Sequence, residues 1–135
     1  PGVSTSEVLV PTPNSDTYRH GDKLSYETLV ITAILDEDLR TYEETYNWLR
    51  GLTFPKTTQE YIKHPFSLIK QKELYYDGIL TVNTNSNLPN LRVKFRNCHP
   101  TSLGSVQFST MDSADTTLTV DITFRYDFFE IERLR

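Results

Sequence analysis

The chain has 135 residues, of which 37% are hydrophobic and 12% aromatic, and this is enough for one domain with its own core. The 18 acidic and 14 basic residues give a formal net charge of −4, so the protein has no general attraction to nucleic-acid phosphates. The single cysteine, Cys98, excludes an intrachain disulfide and the common zinc frameworks, and no apolar run reaches the roughly 20 residues of a membrane helix.

The first third of the chain predicts two strands separated by a long loop. Residues Pro1 to Val10 indicate a loop entering a short strand, with Val8 and Val10 on one face. The stretch from Pro11 to Lys23 is rich in Pro, Asn, Asp, Ser and Gly, which favours an extended or turning loop. Residues Tyr26 to Leu35 are apolar on both faces, which predicts a strand at the centre of a sheet.

A change of period after this strand predicts the one clear helix, from Asp38 to Arg50. The acidic run Asp36-Glu37-Asp38 places carboxylates where the helix dipole favours them, and Gly51 stands where a helix would stop. Apolar residues recur at helical spacing: Leu39, Tyr42, Tyr46 and Leu49. A capping-box pattern at residues 57–60 predicts a second helix of at most two turns before Pro65.

The second half of the chain predicts a hairpin and one long strand. Residues 74–84 and 91–96 are β-rich and flank a turn-forming segment at 85–90. Residues 117–130 alternate apolar and polar side chains in strict period 2, which predicts a single strand with its apolar face inward.

Residues that could carry catalytic or metal chemistry have a simpler structural interpretation. Adjacent strand residues such as Cys98 and His99 point to opposite faces, so they do not form a nucleophilic pair. His20, His64 and His99 lack metal-ligand spacing. The acidic residues around the helix start are explained by capping and a solvated face. No P-loop, GxGxxG, GxSxG or HExxH motif occurs, so no enzymatic activity and no cofactor or metal is predicted.

Three basic residues, Arg92, Lys94 and Arg96, alternate along one predicted strand and share a face. A single-strand nucleic-acid reader interleaves aromatic residues on such a face, whereas here Val93 and Phe95 point the other way. We therefore expect a salt-bridged sheet face, with Asp121 and Asp127 as the opposing acids. A role of single residues in an interface stays open.

Several local patterns follow one another in an order that carries a resemblance. They are Pro1-Gly2-Val3, Gly21-Asp22-Lys23 before the second strand, the acidic turn into a helix containing Trp48, the segment His99 to Phe108, and the aromatic-acidic run Phe124 to Glu130. With these patterns and this order of elements, the chain resembles the contractile-tail tube protein family of T4-like phages, which includes the tube-like domains of baseplate tube initiators. The family usually has a further N-terminal strand, so we expect residues 1–135 to be a single domain that lacks this segment.

The resemblance implies a mainly β fold, an antiparallel β-sandwich or barrel of tail-tube type with one flanking α-helix. It implies that six copies form a ring, that rings stack on like or baseplate tube rings inside a tail sheath, and that genome DNA passes through the lumen without being held. It further implies a virion protein that is assembled in the host cytoplasm and has no membrane partner. The acidic net charge agrees with a channel that does not grip phosphates.

The resemblance also suggests site residues, in three groups. They are Val3, Val8 and Val10 in the intersubunit wall; Tyr18, Arg19 and Asp22 on an inter-ring loop; and Thr119, Asp121, Thr123 and Arg125 on the lumen face.

Five alternatives remain open at the level of sequence, one of them a monomeric β-sandwich whose partner is unknown. Within the same class, the chain is a tube protein, a baseplate tube initiator or cap, or the tube protein of a bacterial contractile injection system. In another class, it is a small β-barrel enzyme or ligand-binding domain, which requires a pocket with converging polar groups.

Overall fold

A computed structural model describes residues 1–53, 75–109 and 116–134. The elements in these residues are β1 (Val3–Pro11), β2 (Asp16–Tyr26), β3 (Leu29–Ile34), α1 (Arg40–Leu52), β4 (Tyr76–Asn83), β5 (Pro89–Leu103), β6 (Thr119–Arg125) and β7 (Phe129–Arg133). Strands β1 and β2 form a two-stranded sheet, and the others form a five-stranded sheet in the order β3-β6-β5-β4, with β7 paired to β5. Every pairing is antiparallel, so the predicted mainly β fold with one flanking helix is confirmed.

Strand β5 organises the larger sheet because it pairs with three other strands. Its first half lies between β4 and β7, and its second half pairs with β6. Asn97, which has a φ of 54°, lies at an irregularity in the pairing of β5 with β4; such bulges bend a strand, and this point is here called the bend of β5. Hydrogen bonds from Arg96 N–H to the Phe128 carbonyl and from Asp127 N–H to the Arg96 carbonyl carry the pairing across this bend.

The bend in β5 makes the prediction of one strand over residues 117–130 wrong. The segment divides into β6 and β7, with an interruption at residues 126–128. An irregular residue such as Asn97 disrupts the regular pairing of a partner strand. Tyr126 is buried in the core at this point, so the period-2 pattern continues in sequence although the strand does not.

The predicted loop from Pro11 to Lys23 is also wrong, because most of it is strand. Strand β1 ends at Pro11 and β2 begins at Asp16, so only a short turn separates them. Nearly every residue of both strands is exposed. A strand with two exposed faces shows no apolar period, which is why its composition resembles that of a loop.

The expected central strand at Tyr26 to Leu35 is instead an edge strand. Tyr26 ends β2, and within the described residues β3 pairs only with β6, on one side. Pro100, expected in a turn, lies within β5 beside an irregularity in its pairing with β6. Proline is tolerated at such positions because they lack a regular ladder hydrogen bond.

Helix α1 forms close to its predicted position, two residues further along the chain. The Asp36 carboxylate accepts a hydrogen bond from the Arg40 N–H at 3.1 Å, as expected for an acid at a helix start. Gly51 is buried inside the last turn, and the C-cap is Thr53. The capping-box prediction at 57–60 lies outside the described residues. Within the described residues, no helix has the length and apolarity needed to cross a bilayer.

Two apolar clusters form the core. The first contains Val93, Phe95, Cys98 and Tyr126, and the second contains Leu35, Val120 and Ile122. The rings of Phe95 and Tyr126 meet edge to face with centroids 4.9 Å apart, a favoured aromatic geometry. The helix contributes Trp48, whose ring contacts those of Tyr76 and Phe124.

The salt-bridged face is confirmed, but with other acids than expected. Lys94 and Arg92 pair with Glu132 at 2.9 and 3.7 Å. Arg96 pairs with Asp77 at 2.6 Å and with Glu130 at 3.4 Å. Asp121 instead accepts a hydrogen bond from Thr32, and Asp127 accepts one from Asn97. The reason is the division of the last strand, which places β7 and not β6 beside the basic residues.

We predict that Phe95→Ala destabilises the protein by about 3–5 kcal/mol, because the ring is fully buried and its removal leaves a cavity. Phe95 is 1% exposed, whereas Phe108 is 69% exposed. Phe108→Ala is therefore the matched control, and we expect it to change stability by less than about 0.5 kcal/mol. Chemical denaturation measures both variants; equal losses would contradict the assignment of the core.

We predict that stability falls in acid partly through Asp77. The hydrogen bond from Arg96, with a second from the Asn97 N–H, lowers the pKa of Asp77 below its ordinary value of 3.8. The unfolded carboxylate therefore takes up a proton at higher pH than the folded one, so this stabilisation is present above pH 3.8 and is lost as the pH falls through the lower folded pKa. In thermal melts from pH 6 to pH 2, we expect the melting temperature of Asp77→Asn to fall less with decreasing pH than that of the unchanged protein. Glu37→Gln, which removes an exposed carboxylate before α1, is the matched control, and an equal effect of both variants would refute this assignment.

Candidate assembly surface

The hairpin of β1 and β2 is the most exposed part of the described structure. Its strands pack chiefly on each other, and only Val10, Gly21 and Tyr26 are partly buried. A two-stranded hairpin is at best marginally stable in water by itself. The apolar side chains that it exposes therefore favour contact with another surface.

The three residues expected in the intersubunit wall all lie on β1. Val8 and Val10 share one face, opposite Arg19 and Thr17 of β2, as the sequence predicted. Val3 lies near the root of the hairpin, on the far side of an irregularity in the pairing, and is exposed like Val8. Their role in subunit contact stays a prediction.

The three residues expected on an inter-ring loop lie instead on strand β2. Tyr18 is opposite Leu9 and Arg19 is opposite Val8, so these two neighbours point to opposite faces of the hairpin. Asp22 lies in the irregular segment between the pairs of His20 and Leu24. The structure therefore does not bring the three side chains together on one surface.

The four residues expected on a lumen face share one face of β6. The register places Thr123, Asp121 and Thr119 opposite residues of β3, while the alternate residues Val120 and Ile122 are buried. The Thr32 hydroxyl donates a hydrogen bond to Asp121 at 2.6 Å. Arg125 donates one to the Tyr26 carbonyl at 3.3 Å.

The same face continues onto β3 with two aliphatic side chains that the sequence analysis did not include. Val30 lies opposite Thr123 and is 56% exposed, and Ile34 lies opposite Thr119 and is 69% exposed. Contact with protein suits such side chains better than contact with water. The lumen assignment of the β6 residues stays a prediction, and the β3 margin of this face favours protein contact.

Both outer strands of the larger sheet, β3 and β4, are unpaired on one side within the described residues. Open edge strands are a hazard that monomeric proteins usually block with charge or cover. Strand β3 contains no charged residue, and β4 contains only Asp77, which Arg96 engages. These edges therefore suit pairing or packing against another chain.

A cleft of about 330 Å³ lies between the two edges, and it is mostly apolar. Its walls include Leu29 and Ile31 of β3, Ile79 of β4, Trp48 of α1 and Phe124 of β6. A small-molecule site requires a few converging polar groups, and Asp77, the only charged side chain among the described residues that line this cleft, is paired with Arg96. The cleft provides no such set.

Cys98 and His99 do not form a catalytic pair. Cys98 is buried beside Gly78, and burial raises the pKa of its thiol, whereas a nucleophilic cysteine has a lowered pKa. The His99 ring packs on Tyr75 with centroids 5.1 Å apart. His20 lies opposite Glu7 on the hairpin, and His64 lies outside the described residues. Among residues 1–53, 75–109 and 116–134, no cluster of three His, Cys, Asp or Glu could hold a metal ion.

Comparison with curated proteins finds a relative that matches almost the full length of the chain. The tail tube terminator protein of Enterobacteria phage T4 is 24% identical over 136 residues, which cover 98% of this chain and 73% of that protein. No family model matches the sequence.

Solved structures with the same fold come from contractile injection systems. A chain of the anti-feeding prophage tube-terminating cap has a TM-score of 0.67 at 11% identity, and the match covers 98% of this chain and 75% of that chain. A chain of the sheath/tube terminator of an extracellular contractile injection system, PVC, also has a TM-score of 0.67 at 11% identity. The match covers 97% of this chain and 79% of that chain. A chain of the anti-feeding prophage baseplate has a TM-score of 0.64 at 9% identity, and the match covers 98% of this chain and 77% of that chain.

We predict that Gly21→Ala disrupts the hairpin without disturbing the larger sheet. A Cβ atom at Gly21 would overlap the carbonyl oxygen of Ser6, a backbone atom in the irregular segment of the hairpin, so the backbone of one strand must shift. Amide hydrogen exchange should show lost protection in β1 and β2 and unchanged protection in β5 and β6. Ser25→Ala, at an exposed position of the same strand, is the control and should change neither. Unchanged protection of the hairpin in Gly21→Ala would show that the close approach is unimportant.

Proposed function

We propose that this chain, which is related in sequence and fold to the contractile-tail tube family, is a structural ring subunit at the end of the tube of a contractile tail. The observation that carries the proposal is the match of 98% of the chain to the T4 tail tube terminator. Structures of a tube-terminating cap and a sheath/tube terminator, which have the same fold, support this position. The tube-related fold itself is established independently of the position in the tail.

Ring formation is supported by the surfaces that one copy leaves uncovered. The hairpin, the β3 edge and the β4 edge are different surfaces, so a contact between neighbouring copies joins unlike surfaces of one chain. Such head-to-tail contacts generate closed rings when the rotation between copies closes. We propose six copies per ring, in agreement with the sixfold symmetry of the anti-feeding prophage baseplate.

A non-enzymatic role agrees with the chemistry of the described residues. The thiol is buried with a raised pKa, the apolar cleft lacks converging polar groups, and the carboxylates with lowered pKa values are held in surface ion pairs. Perturbed groups in a structural protein are explained by such ion pairs. The relatives named above are structural parts of tails and injection systems.

The proposed ring lies on the tube axis, in contact with the last tube ring and with the sheath outside it, in a virion assembled in the host cytoplasm. Genome DNA passes through its lumen without being bound. The net charge of −4 supports passage over retention, because a channel that repels phosphates weakly does not hold them. The proposed lumen face on β6 combines one acid, Asp121, with one base, Arg125.

A ring that initiates the tube at the baseplate is the second candidate. The observation in its favour is the fold shared with a chain of the anti-feeding prophage baseplate, which covers 98% of the protein. A terminator and an initiator differ in which end of the tube they bind. Addition of the protein to growing tubes therefore distinguishes them.

We predict that the purified protein forms a discrete species of six times the monomer mass in light scattering, and that its mass does not grow with concentration. A terminator ring does not stack on itself, because only one of its surfaces matches the tube. Added to a polymerising tube protein, it should halt elongation at one end, seen as shorter tubes by electron microscopy. Growth of long tubes from this chain alone would identify it as a tube protein, and a monomer that also fails to bind tubes or baseplates would refute the proposal.

A further inference from the structure

The larger sheet has an apolar face that the described residues leave partly uncovered where β4, β5 and β7 meet. Cross-strand pairing forms one row of Leu80, Val93 and Ile131 and a second row of Val82, Leu91 and Arg133. Val93 is buried, but Leu80 and Ile131, which lie on either side of it, are exposed; the exposed fraction of Ile131 is 63%. Leu80, Val82, Leu91 and Ile131 are here called the apolar shelf.

The opposite face of the same three strands is charged. Arg92 and Lys94 pair there with Glu132 of β7. Ile79 lies opposite Lys94 on that charged face and is 62% exposed, almost the same as Ile131. The sheet is therefore amphipathic, and an antiparallel sheet normally has its apolar face covered and its polar face in water.

One face of the β1–β2 hairpin matches the shelf in character. The pairs Glu7–His20, Leu9–Tyr18 and Pro11–Asp16 lie on this face, because directly paired residues point to the same side. Leu9 and Tyr18, at its centre, are 51% and 66% exposed. This face is here called the hairpin face, and its strands make no extensive contact with β4, β5 or β7 of the same chain.

The charges at the margins of the two surfaces are complementary. Arg133 is the cation in the second row of the shelf, and it forms no ion pair within the part of the chain that the structure describes. Asp16, at the tip of the hairpin face, lies opposite Pro11 and likewise has no ion pair among the described residues. Opposite charges at an interface margin fix register and orientation more than they add affinity.

We propose that the apolar shelf of one copy receives the hairpin face of the next copy, with Leu9 and Tyr18 on the shelf and Asp16 toward Arg133. This inference rests on the proposed ring and names the surfaces that join its subunits. The occupant is a second copy because both complementary surfaces belong to one chain. A contact between two unlike surfaces is the kind that closes a ring.

Disulfide cross-linking in the full chain tests the contact. In a Cys98→Ala background, Leu9→Cys is combined with Ile131→Cys, and mild oxidation should give a ladder of covalent multimers on denaturing gels. Leu9→Cys combined with Ile79→Cys is the matched control, equally exposed but on the charged face, and it should stay at the monomer mass. Disulfides form only where Cα atoms come within about 7 Å, so the two pairs separate the two faces.

Light scattering of the unoxidised protein makes the two possible failures distinguishable. Rings without a Leu9–Ile131 ladder would overturn the proposed contact and leave the ring function standing. Absence of rings as well as of the ladder would overturn both. Cross-linking within one chain, preferential linking through Ile79, or linking only to an added tube protein would each refute a second copy as the occupant.

A substitution pair gives a measurement that does not depend on the cysteine variants. Ile131→Lys places a charge on the shelf next to Arg133 and should raise the concentration needed for ring assembly at least tenfold. Ile79→Lys should change it less than twofold, and thermal melting should show both variants folded. Equal effects of the two substitutions would overturn the proposal.

Discussion

The bend of β5 at Asn97 is the constraint on which the larger sheet depends. Residues before it pair with β4 and β7, Cys98 directly after it still pairs with Tyr76 of β4, and residues from His99 onward pair with β6. Asp77 of β4 accepts hydrogen bonds from the Arg96 side chain and the Asn97 backbone, while the Asn97 side chain donates to Asp127. These bonds join the elements on both sides of β5 at an irregular point of its ladder, so the irregular backbone is held in place by polar contacts.

The uncovered surfaces follow from the way this sheet ends. Within the described residues, pairing stops at β3, which has no charged residue, and at β4, whose single charge, Asp77, is engaged by Arg96. The chain therefore leaves aliphatic side chains in water on the hairpin, on the β3 edge and on the apolar shelf. Exposed apolar patches of this kind mark interaction sites in soluble proteins. Assembly gives them a physical role that a monomer does not.

The fold is shared with injection-system chains that are only 9–11% identical to this one. Such divergence is possible because a sheet requires alternation of apolar and polar side chains and a few special backbone positions, not particular residues. These structural likenesses show the fold alone, and it is the match to the T4 terminator that supports the proposed position at the tube end.

The sequence by itself determined the parts of the fold that have one buried face. The alternation of Val120 and Ile122 with Thr119 and Asp121 and the helix beginning beside Asp36 form as predicted, because burial of one face leaves a period in the sequence. The resemblance to tube proteins was likewise visible in the order of the elements.

Tertiary structure alone decided the features that leave no such period. The exposed strand β2 resembles a loop in composition, the bend at Asn97 divides a sequence pattern that continues unbroken, and Ile131 resembles a core residue although its face lacks a cover. Whether an apolar residue is buried depends on what packs over it, and that is a property of the folded chain and its partners, not of local sequence.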